Sequence, residues 1–274
     1  MGTDITTYKA KLEEQARQAV AAEPPQSGQF FSTRGGILAL GETILPGNQM
    51  AVIVIDSLRE NTLYAAAFES ADPQPPICYA YGRDAESMAP HITMSKHPEY
   101  FQPQHQDRVT GLYSCEGCPM NAWGSAEQGR GKACKNKRRL TLIPAGYYTT
   151  KPKSRDFDLH LITDLAHFET ADAAFLSLPV TSVKDWATFV GQCSANFRVP
   201  PHGVVTRIYI EPDPASQYKV KFEILDVVPD DLIPVVIARN EAARAMPEKG
   251  YEPPDLEAKA QRAGALAGLR RPGA

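Results

Sequence analysis

Four of the five cysteines are spaced like the ligands of one metal ion, and this spacing constrains the fold more than any other feature of the sequence. Cys115-Glu116-Gly117-Cys118-Pro119 is a C-x-x-C turn, which supplies two thiolates from one tight loop, and Gly117 should free that turn. Cys134 follows after fifteen intervening residues, and Cys78 lies 36 intervening residues upstream of Cys115. We therefore predict that Cys78, Cys115, Cys118 and Cys134 bind one structural zinc ion.

Two alternatives to this site stay open at the level of the sequence. His91, His97 or His105 could replace Cys78 as the fourth ligand, and the cysteines could instead be reduced, buried thiols or a redox pair. Four thiolates leave no open coordination position for water, which favours a structural over a catalytic zinc. Cys193 lies on the apolar face of a predicted helix and is interpreted as a small core residue.

The sequence contains no recognisable membrane or export signal. Its apolar runs are shorter than the roughly 20 residues that a membrane span needs, and residues 1–23 alternate charge with Ala where a signal peptide would be apolar. The odd number of cysteines favours metal chemistry in a reducing compartment over a disulfide framework. We expect a cytoplasmic protein with no membrane contact.

Positive charge is concentrated around Cys134, although the formal net charge of the chain is only −3. No acidic residue occurs between Gly129 and Arg155. The basic residues of this interval that are candidate phosphate contacts are Arg130, Lys132, Lys135, Lys137, Arg138, Arg139, Lys151 and Lys153. The aromatic residues near them or near the other cysteines are Tyr79, Tyr81, Tyr113, Trp123, Tyr147 and Tyr148. Because single-stranded nucleic acid is held by a cationic groove and by rings that stack on bases, these residues are predicted to bind it.

Short β-type runs separated by Gly, Pro and Asn follow Gly36 and predict a β-rich domain. The predicted strands are Ile37–Leu40, Met50–Ile55, Thr62–Tyr64, Leu140–Ile143, Leu159–Ile162 and Phe175–Leu178. Val204–Ile210 and Tyr218–Val228 are predicted to pair as a hairpin across the turn Glu211–Pro214.

Helices are predicted for residues 6–22, after a cap at Ser182, and from Asp231 to about Ala245. The predicted organisation is an N-terminal helical extension (1–28), a β domain (29–230) that contains the cysteine loop (78–139), and a helical, partly mobile C-terminal tail (231–274).

The strongest candidate for catalysis is a group of three residues, Asp156, Asp158 and His160. They alternate along a predicted strand, so they should share one face and could hold a divalent metal as in a nuclease. We favour the interpretation that this is a strand ending in solvated charges. No catalytic triad or phosphate-binding loop is evident from spacing, and we predict that the protein is not an enzyme.

Several segments resemble a group of bacteriophage single-stranded DNA-binding proteins. These segments are Cys115-x-x-Cys118-Pro119, Asn121–Ser125, Gly129-x-Gly131 through Lys135, Arg138–Leu140, Leu178 through Trp186, Pro200-Pro201 and Val204–Thr206. The resemblance implies a β-rich (α+β) fold, an OB-like barrel with an inserted zinc-binding loop and terminal helices. It also implies that the protein coats exposed strands during phage DNA replication or recombination. The chain ends in Arg270-Arg271-Pro272-Gly273-Ala274, where replication single-strand binders often carry an acidic tail.

The sequence thus predicts a non-catalytic, largely sequence-independent single-stranded DNA-binding protein with a structural Zn²⁺ ion. Single-stranded DNA is the expected partner, replication or recombination proteins are further candidates, and self-association is left open. The alternatives are a zinc-stabilised adaptor that binds the replication or transcription machinery and, less favoured, a metal-dependent nuclease.

Overall fold

The computed structural model describes residues 30–64, 76–86, 88–90, 114–127 and 130–245. The chain divides into two compact units. The first unit comprises Met1–Asp56 and Arg139–Ala245, and the second comprises Ser57–Arg138 and Met246–Ala274. The boundaries between them fall within two long strands, β4 (Gln49–Leu63) and β6 (Lys135–Thr150).

A curled antiparallel sheet forms the centre of the first unit. Its strand order is β10-β9-β4-β6-β7, and β8 also pairs with β6. Besides β4 and β6, this sheet contains β7 (Phe157–Leu161), β8 (Ala174–Leu178), β9 (Val204–Asp213) and β10 (Gln217–Val227). A smaller antiparallel sheet contains β1 (Phe31–Ser32), β2 (Ala39–Leu40) and β3 (Thr43–Ile44). The chain is therefore β-rich, as the sequence predicts.

Side-chain alternation along β4 supplies both hydrophobic clusters of the first unit, because successive residues of a strand point to opposite faces. Val52 and Val54 belong to the cluster that includes Trp186 of α2 (Val183–Gln192). Ala51, Ile53 and Ile55 belong to the cluster that includes residues of α1 (Leu165–Thr170) and α3 (Ile233–Ala245). Both faces of the sheet are thus covered, which explains why residues 50–55 of β4 are all apolar.

The second unit is built on β5 (Cys78–Gly82), which pairs antiparallel with the residues of β4 that belong to this unit. In this register Cys78 lies opposite Leu63, and Gly82 lies opposite Arg59. A small cluster of buried residues contains Ala80, Met88 and Cys115. The segment from Ser114 to Cys134 has little regular structure in its described part and includes a 3₁₀ turn at Pro119–Asn121.

The structure bears out the predicted hairpin and extends several predicted strands. β9 and β10 pair antiparallel from Val204 to Asp213. Met50–Ile55 and Thr62–Tyr64 were predicted as separate strands, which is wrong: β4 runs unbroken from Gln49 to Leu63. The mainly polar segment between the two runs, residues 56–61, conceals this continuity because polar residues usually lie outside a core, yet Glu60 is fully buried here.

The helix predicted from Asp231 is confirmed as α3, and the one predicted after Ser182 is confirmed as α2. Ser182 makes no capping hydrogen bond to α2, contrary to its predicted role. The helix predicted at residues 6–22 and the tail after Ala245 lie outside the described residues. No helix in the described part of the chain is long and apolar enough to cross a membrane.

Candidate metal and nucleic-acid site

The four cysteines predicted as metal ligands line one small cavity of about 20 Å³ in the second unit. Cys78 starts β5, Cys115 and Cys118 flank the C-x-x-C turn, and Cys134 directly precedes β6. Asn61 and Asn121 are also part of the lining. Strand pairing of β5 with β4 therefore brings Cys78 to the other three cysteines across a gap of 36 residues in sequence. Cys193, in the first unit, is fully buried in the hydrophobic core, as predicted.

Burial and neighbouring thiols raise the pKa of three of these cysteines, Cys78, Cys115 and Cys134, and so disfavour their thiolate form in the absence of a cation. Burial raises the pKa of Cys115 to about 11 and the pKa of Cys134 to about 12, and it also raises the pKa of Cys78. Neighbouring thiols add to each shift. A hydrogen bond from Asn61 lowers the pKa of Cys115, and Lys132 and Lys135 lower the pKa of Cys134. A bound divalent cation would reverse the balance, because it stabilises coordinated thiolates directly.

The residues present match the donor set of a structural zinc, but their sulfur atoms are not arranged as ligands. As they stand, the described residues include no group of three or more His, Cys, Asp or Glu side chains that could hold a metal ion. The shared cavity has room for one water-sized body, which suits a single ion. The histidines considered as alternative ligands, His91, His97 and His105, lie outside the described residues.

Hydrogen bonds order the loop between Cys118 and Cys134. The Cys134 N–H donates to the Met120 carbonyl at 2.8 Å. Ser125 Oγ lies 2.9 Å from the Met120 carbonyl oxygen and 2.7 Å from the Ala122 carbonyl oxygen, which share its one hydroxyl hydrogen, and it accepts from the Ala133 N–H at 2.9 Å. Ser125 thus connects the two ends of the loop.

Two glycines of this region differ in what their backbone requires. Gly124 has φ +86°, a conformation that favours glycine, and its N–H donates to the Gly131 carbonyl at 3.0 Å. Gly117, between the paired cysteines, is not in the left-handed region, and a Cβ atom there would contact nothing within 4 Å. Glycine is therefore needed beside Trp123 rather than inside the C-x-x-C turn.

Trp123 belongs to this loop, and 80% of its surface is exposed. The ammonium group of Lys132 lies 5.7 Å from the centroid of the indole ring. A large exposed ring on an ordered loop, with a cation beside it, is suited to stacking on a partner's π system or to contacting an anionic chain. Trp123 and Lys132 were both predicted as nucleic-acid contacts.

Three asparagine side chains that sequence reasoning did not single out connect this loop to the cysteine cavity. Asn136 Nδ2 donates to Asn61 Oδ1 at 2.7 Å and to Asn121 Oδ1 at 3.0 Å. Asn121 Nδ2 donates to the Cys115 carbonyl at 2.8 Å, and Lys132 Nζ donates to Asn121 Oδ1 at 3.2 Å. Asn136 and Asn61 are 75 residues apart, so no local pattern could have joined them.

The predicted basic residues of the second unit lie along the loop and in the first residues of β6. Arg130 and Lys135 are exposed, whereas Lys132, Lys137 and Arg138 are partly buried. Lys137 lies 5.5 Å from the ring centroid of Tyr64. Burial and the nearby Arg59 lower the pKa of Arg138 to about 10. Arg59, on β4, is thus a further cation of this region that its position in the sequence did not reveal.

The predicted aromatic residues differ in exposure. Tyr79 is only 4% exposed and packs against Tyr81, with ring centroids 5.7 Å apart. Tyr148 is 7% exposed and lies near Arg207 in the first unit. Because they are buried, the rings of Tyr79 and Tyr148 are not available to stack on bases. Tyr113 lies outside the described residues.

The remaining predicted residues belong to the first unit. Tyr147 is 53% exposed and stacks on His160 with ring centroids 5.1 Å apart. Lys151 forms an ion pair with Asp158 at 3.2 Å, and Lys153 is exposed. Arg139 is partly buried and has a partner within the chain.

The candidate nuclease residues already have partners on and around β7. Asp158 pairs with Lys151, and His160 shares a 2.9 Å hydrogen bond with Thr149. Asp156 accepts a 2.8 Å hydrogen bond from Ser154 Oγ. These contacts are those expected of a solvated strand, and no contact in the described part of the chain favours the nuclease alternative.

No family model matches the chain, and no curated protein or solved structure matches it significantly.

Proposed function

We propose that this protein binds single-stranded DNA without catalysing a reaction, and that a structural zinc ion held by Cys78, Cys115, Cys118 and Cys134 stabilises the loop that makes the contact. The observation that carries the proposal is the exposed Trp123 beside Lys132, on a loop that closes at the cavity shared by the four cysteines. The sequence places further cations directly after this loop. The resemblance to phage single-strand binders supports the same function, with replication or recombination as its setting.

Zinc would contribute structure rather than chemistry. Four thiolate ligands complete a tetrahedral shell and leave no position for a reacting water, so the ion would tie Cys78 and the C-x-x-C turn to the start of β6. Asn121 would hold Cys115 in place through the carbonyl oxygen of that residue. The loop carrying Trp123 and Lys132 would then present its ring and its charge in one orientation.

An OB-like arrangement of the first unit is part of this proposal. A curled antiparallel sheet with neighbouring strands β9, β4 and β6 supports it, and OB folds commonly bind single strands on such a sheet. Tyr147, exposed on β6, is the candidate stacking residue of this unit.

A protein-binding adaptor is the second candidate, because an exposed tryptophan is also a frequent centre of protein interfaces. The cations of the second unit favour a polyanion over a typical protein surface, since charged residues are depleted at the centre of protein interfaces. Affinity for DNA therefore discriminates between the two candidates.

Salt-dependent binding of a labelled oligothymidine, followed by fluorescence anisotropy, tests the proposed function. Each phosphate contact on a single strand contributes about −0.7 to the slope of log K against log salt concentration. Replacing Lys137, Arg138 and Arg139 by Gln should weaken binding and reduce the magnitude of that slope by up to about 2. The matched control replaces exposed cations of the first unit, Arg34, Lys184 and Arg198, by Gln and should change neither quantity appreciably.

Two results would contradict the proposal. One is an affinity for the oligonucleotide that is absent, or unchanged between low and high salt. The other is a wild-type protein that contains no zinc by metal analysis and whose cysteines all react with a thiol reagent in the folded state. A duplex oligonucleotide measured in parallel establishes the preference for single strands.

A further inference from the structure

Asn136 lies at the centre of a network of hydrogen bonds that begins at the cysteine cavity and ends at Lys132. Its single amide nitrogen donates to two acceptors, Asn61 Oδ1 at 2.7 Å and Asn121 Oδ1 at 3.0 Å. Both acceptors belong to residues that line the cavity. Loss of the Asn136 amide would leave Asn61 Oδ1 without this donor and Asn121 Oδ1 with only its hydrogen bond from Lys132, and unsatisfied buried polar groups are unfavourable.

On the cavity side, the network holds the backbone of Cys115. Asn121 Nδ2 donates to the Cys115 carbonyl oxygen at 2.8 Å, and Asn61 lines the same cavity as Cys115. Residues that hydrogen-bond metal ligands orient those ligands, and their removal typically weakens metal binding by about 10- to 100-fold. Asn136 hydrogen-bonds Asn61 and Asn121, so its effect on the cavity passes through these two residues.

On the loop side, the network of hydrogen bonds fixes the position of the Lys132 ammonium group. Lys132 Nζ donates to Asn121 Oδ1 at 3.2 Å and lies 5.7 Å from the ring centroid of Trp123. A lysine side chain is long and flexible, and holding it in one place costs conformational entropy. The Asn121 oxygen, itself held by Asn136, supplies the fixed acceptor that keeps Lys132 over the indole.

We infer that Asn136 couples the occupancy of the cysteine cavity to the binding surface formed by Trp123 and Lys132, so that metal and single-stranded DNA each strengthen the binding of the other. This inference rests on the proposed function and adds a regulatory link to it. Such coupling is reciprocal for equilibrium binding: if zinc raises the affinity for DNA by some factor, DNA raises the affinity for zinc by the same factor.

The test is the rate at which a chromogenic chelator removes zinc from the full-length protein, with and without saturating oligothymidine. In the wild type, the oligonucleotide should slow zinc release. In Asn136→Ala, zinc should leave about 10-fold or more faster without DNA, and the oligonucleotide should no longer slow it. The control Asn196→Ala, at an exposed position of the first unit, should behave as the wild type in both conditions.

A second variant separates coupling from a general loss of structure. Asn136→Asp keeps the shape of the side chain but removes both donor hydrogens, so it should also abolish the effect of the oligonucleotide on zinc release. Wild-type behaviour of both Asn136 variants would overturn the inference while leaving the proposed function intact. A wild-type protein that holds no zinc or binds no oligonucleotide would overturn both.

Discussion

The two tryptophans of the chain lie in opposite environments. Trp186 is 3% exposed and packs against Phe189 and Phe222, whereas Trp123 is 80% exposed beside Lys132. Trp186 has a structural role in the core, because a large aromatic side chain contributes much of the apolar area that a core buries. Packing among the described residues of the second unit does not explain the exposure of Trp123, which is consistent with a binding role.

Replacing Trp123 with Ala should weaken binding to oligothymidine by about 1–3 kcal/mol, which is about 5- to 150-fold, because the base would lose its stacking surface. Fluorescence anisotropy at constant salt measures this change. Phe197→Ala, which removes a ring that is 42% exposed in the first unit, is the control and should leave the affinity unchanged. Equal affinities of the wild type and the Trp123 variant would show that the indole does not contact DNA.

At the scale of elements, α2 is attached to the sheet by Ser182 as well as by its aromatic residues. The fully buried hydroxyl of Ser182 accepts a 2.9 Å hydrogen bond from the Val220 N–H in β10. The sequence pattern favours Ser182 as a helix cap, since Ser often precedes the first turn of a helix. The tertiary contact with β10 takes up that acceptor instead, which is why the predicted cap is not formed.

Ser182→Ala should destabilise the first unit by about 1–3 kcal/mol, because the buried Val220 N–H would lose its acceptor. Chemical denaturation measures the free energy of unfolding, and amide hydrogen exchange should show faster exchange at Val220. The control Ser194→Ala, at an exposed site, should leave both unchanged. Faster exchange at the first residues of α2, with Val220 unaffected, would instead indicate a capping role.

The turn between β9 and β10 is stabilised by Asp213. Its carboxylate accepts hydrogen bonds from Ser216 Oγ at 2.6 Å and from the Ser216 N–H at 2.9 Å, and it forms an ion pair with Lys219 at 2.9 Å. The hydroxyl of Ser216 and then the ammonium of Lys219 lower the pKa of Asp213 to about 2. This stabilisation requires the ionised carboxylate.

Because the pKa of Asp213 is lower in the folded than in the unfolded chain, its stabilising contribution is complete above the ordinary aspartate value of about 4 and is lost as pH falls toward 2. Asp213→Asn should therefore lower the melting temperature at pH 7 and at pH 5 by similar amounts. The difference from the wild type should shrink between pH 4 and pH 2. The exposed Asp172→Asn is the control, and a difference that stays constant to pH 2 would contradict this account.

At the scale of the whole molecule, the two units obtain their order in different ways. The first unit has two hydrophobic clusters on a sheet covered on both faces. The described part of the second unit has one small cluster, Ala80, Met88 and Cys115, next to the cysteine cavity. A core of that size buries little apolar area, and small folds of this kind usually depend on a metal or another cross-link.

Removing zinc with a chelator should therefore loosen the second unit and leave the first unit folded. Hydrogen exchange should accelerate about tenfold or more at Cys134 and Ala122, whose N–H groups are bonded within the loop, and remain slow at Leu142 and Ile208 in the sheet. Cys134→Ser should reproduce the effect without chelator, whereas Cys193→Ala should retain one zinc per chain. Exchange rates in the second unit that are unchanged by chelation would rule out a structural metal.

Local patterns in the sequence were sufficient for the β9–β10 hairpin, for α3 and for the burial of Cys193. Each depends on residues close together in the chain: two alternating runs joined by a Pro-rich turn, or an apolar face at helical spacing. Local patterns were not sufficient for the length of β4, because the fully buried Glu60 and the buried Asn61 look like surface residues when their neighbours are unknown.

The sequence by itself determined which residue types are available to this protein: four cysteines at ligand spacing, a run of cations, and strands with the alternation that a sheet needs. Only the tertiary structure decided which of them meet. Pairing of β4 with β5 brings Cys78 to the cysteine cavity, Asn61 reaches Asn136 from 75 residues away, and Tyr79 is buried while Trp123 is exposed. The physical reason is that side-chain periodicity is a local property of the backbone, whereas contacts between distant segments depend on strand register and on the packing of the whole chain.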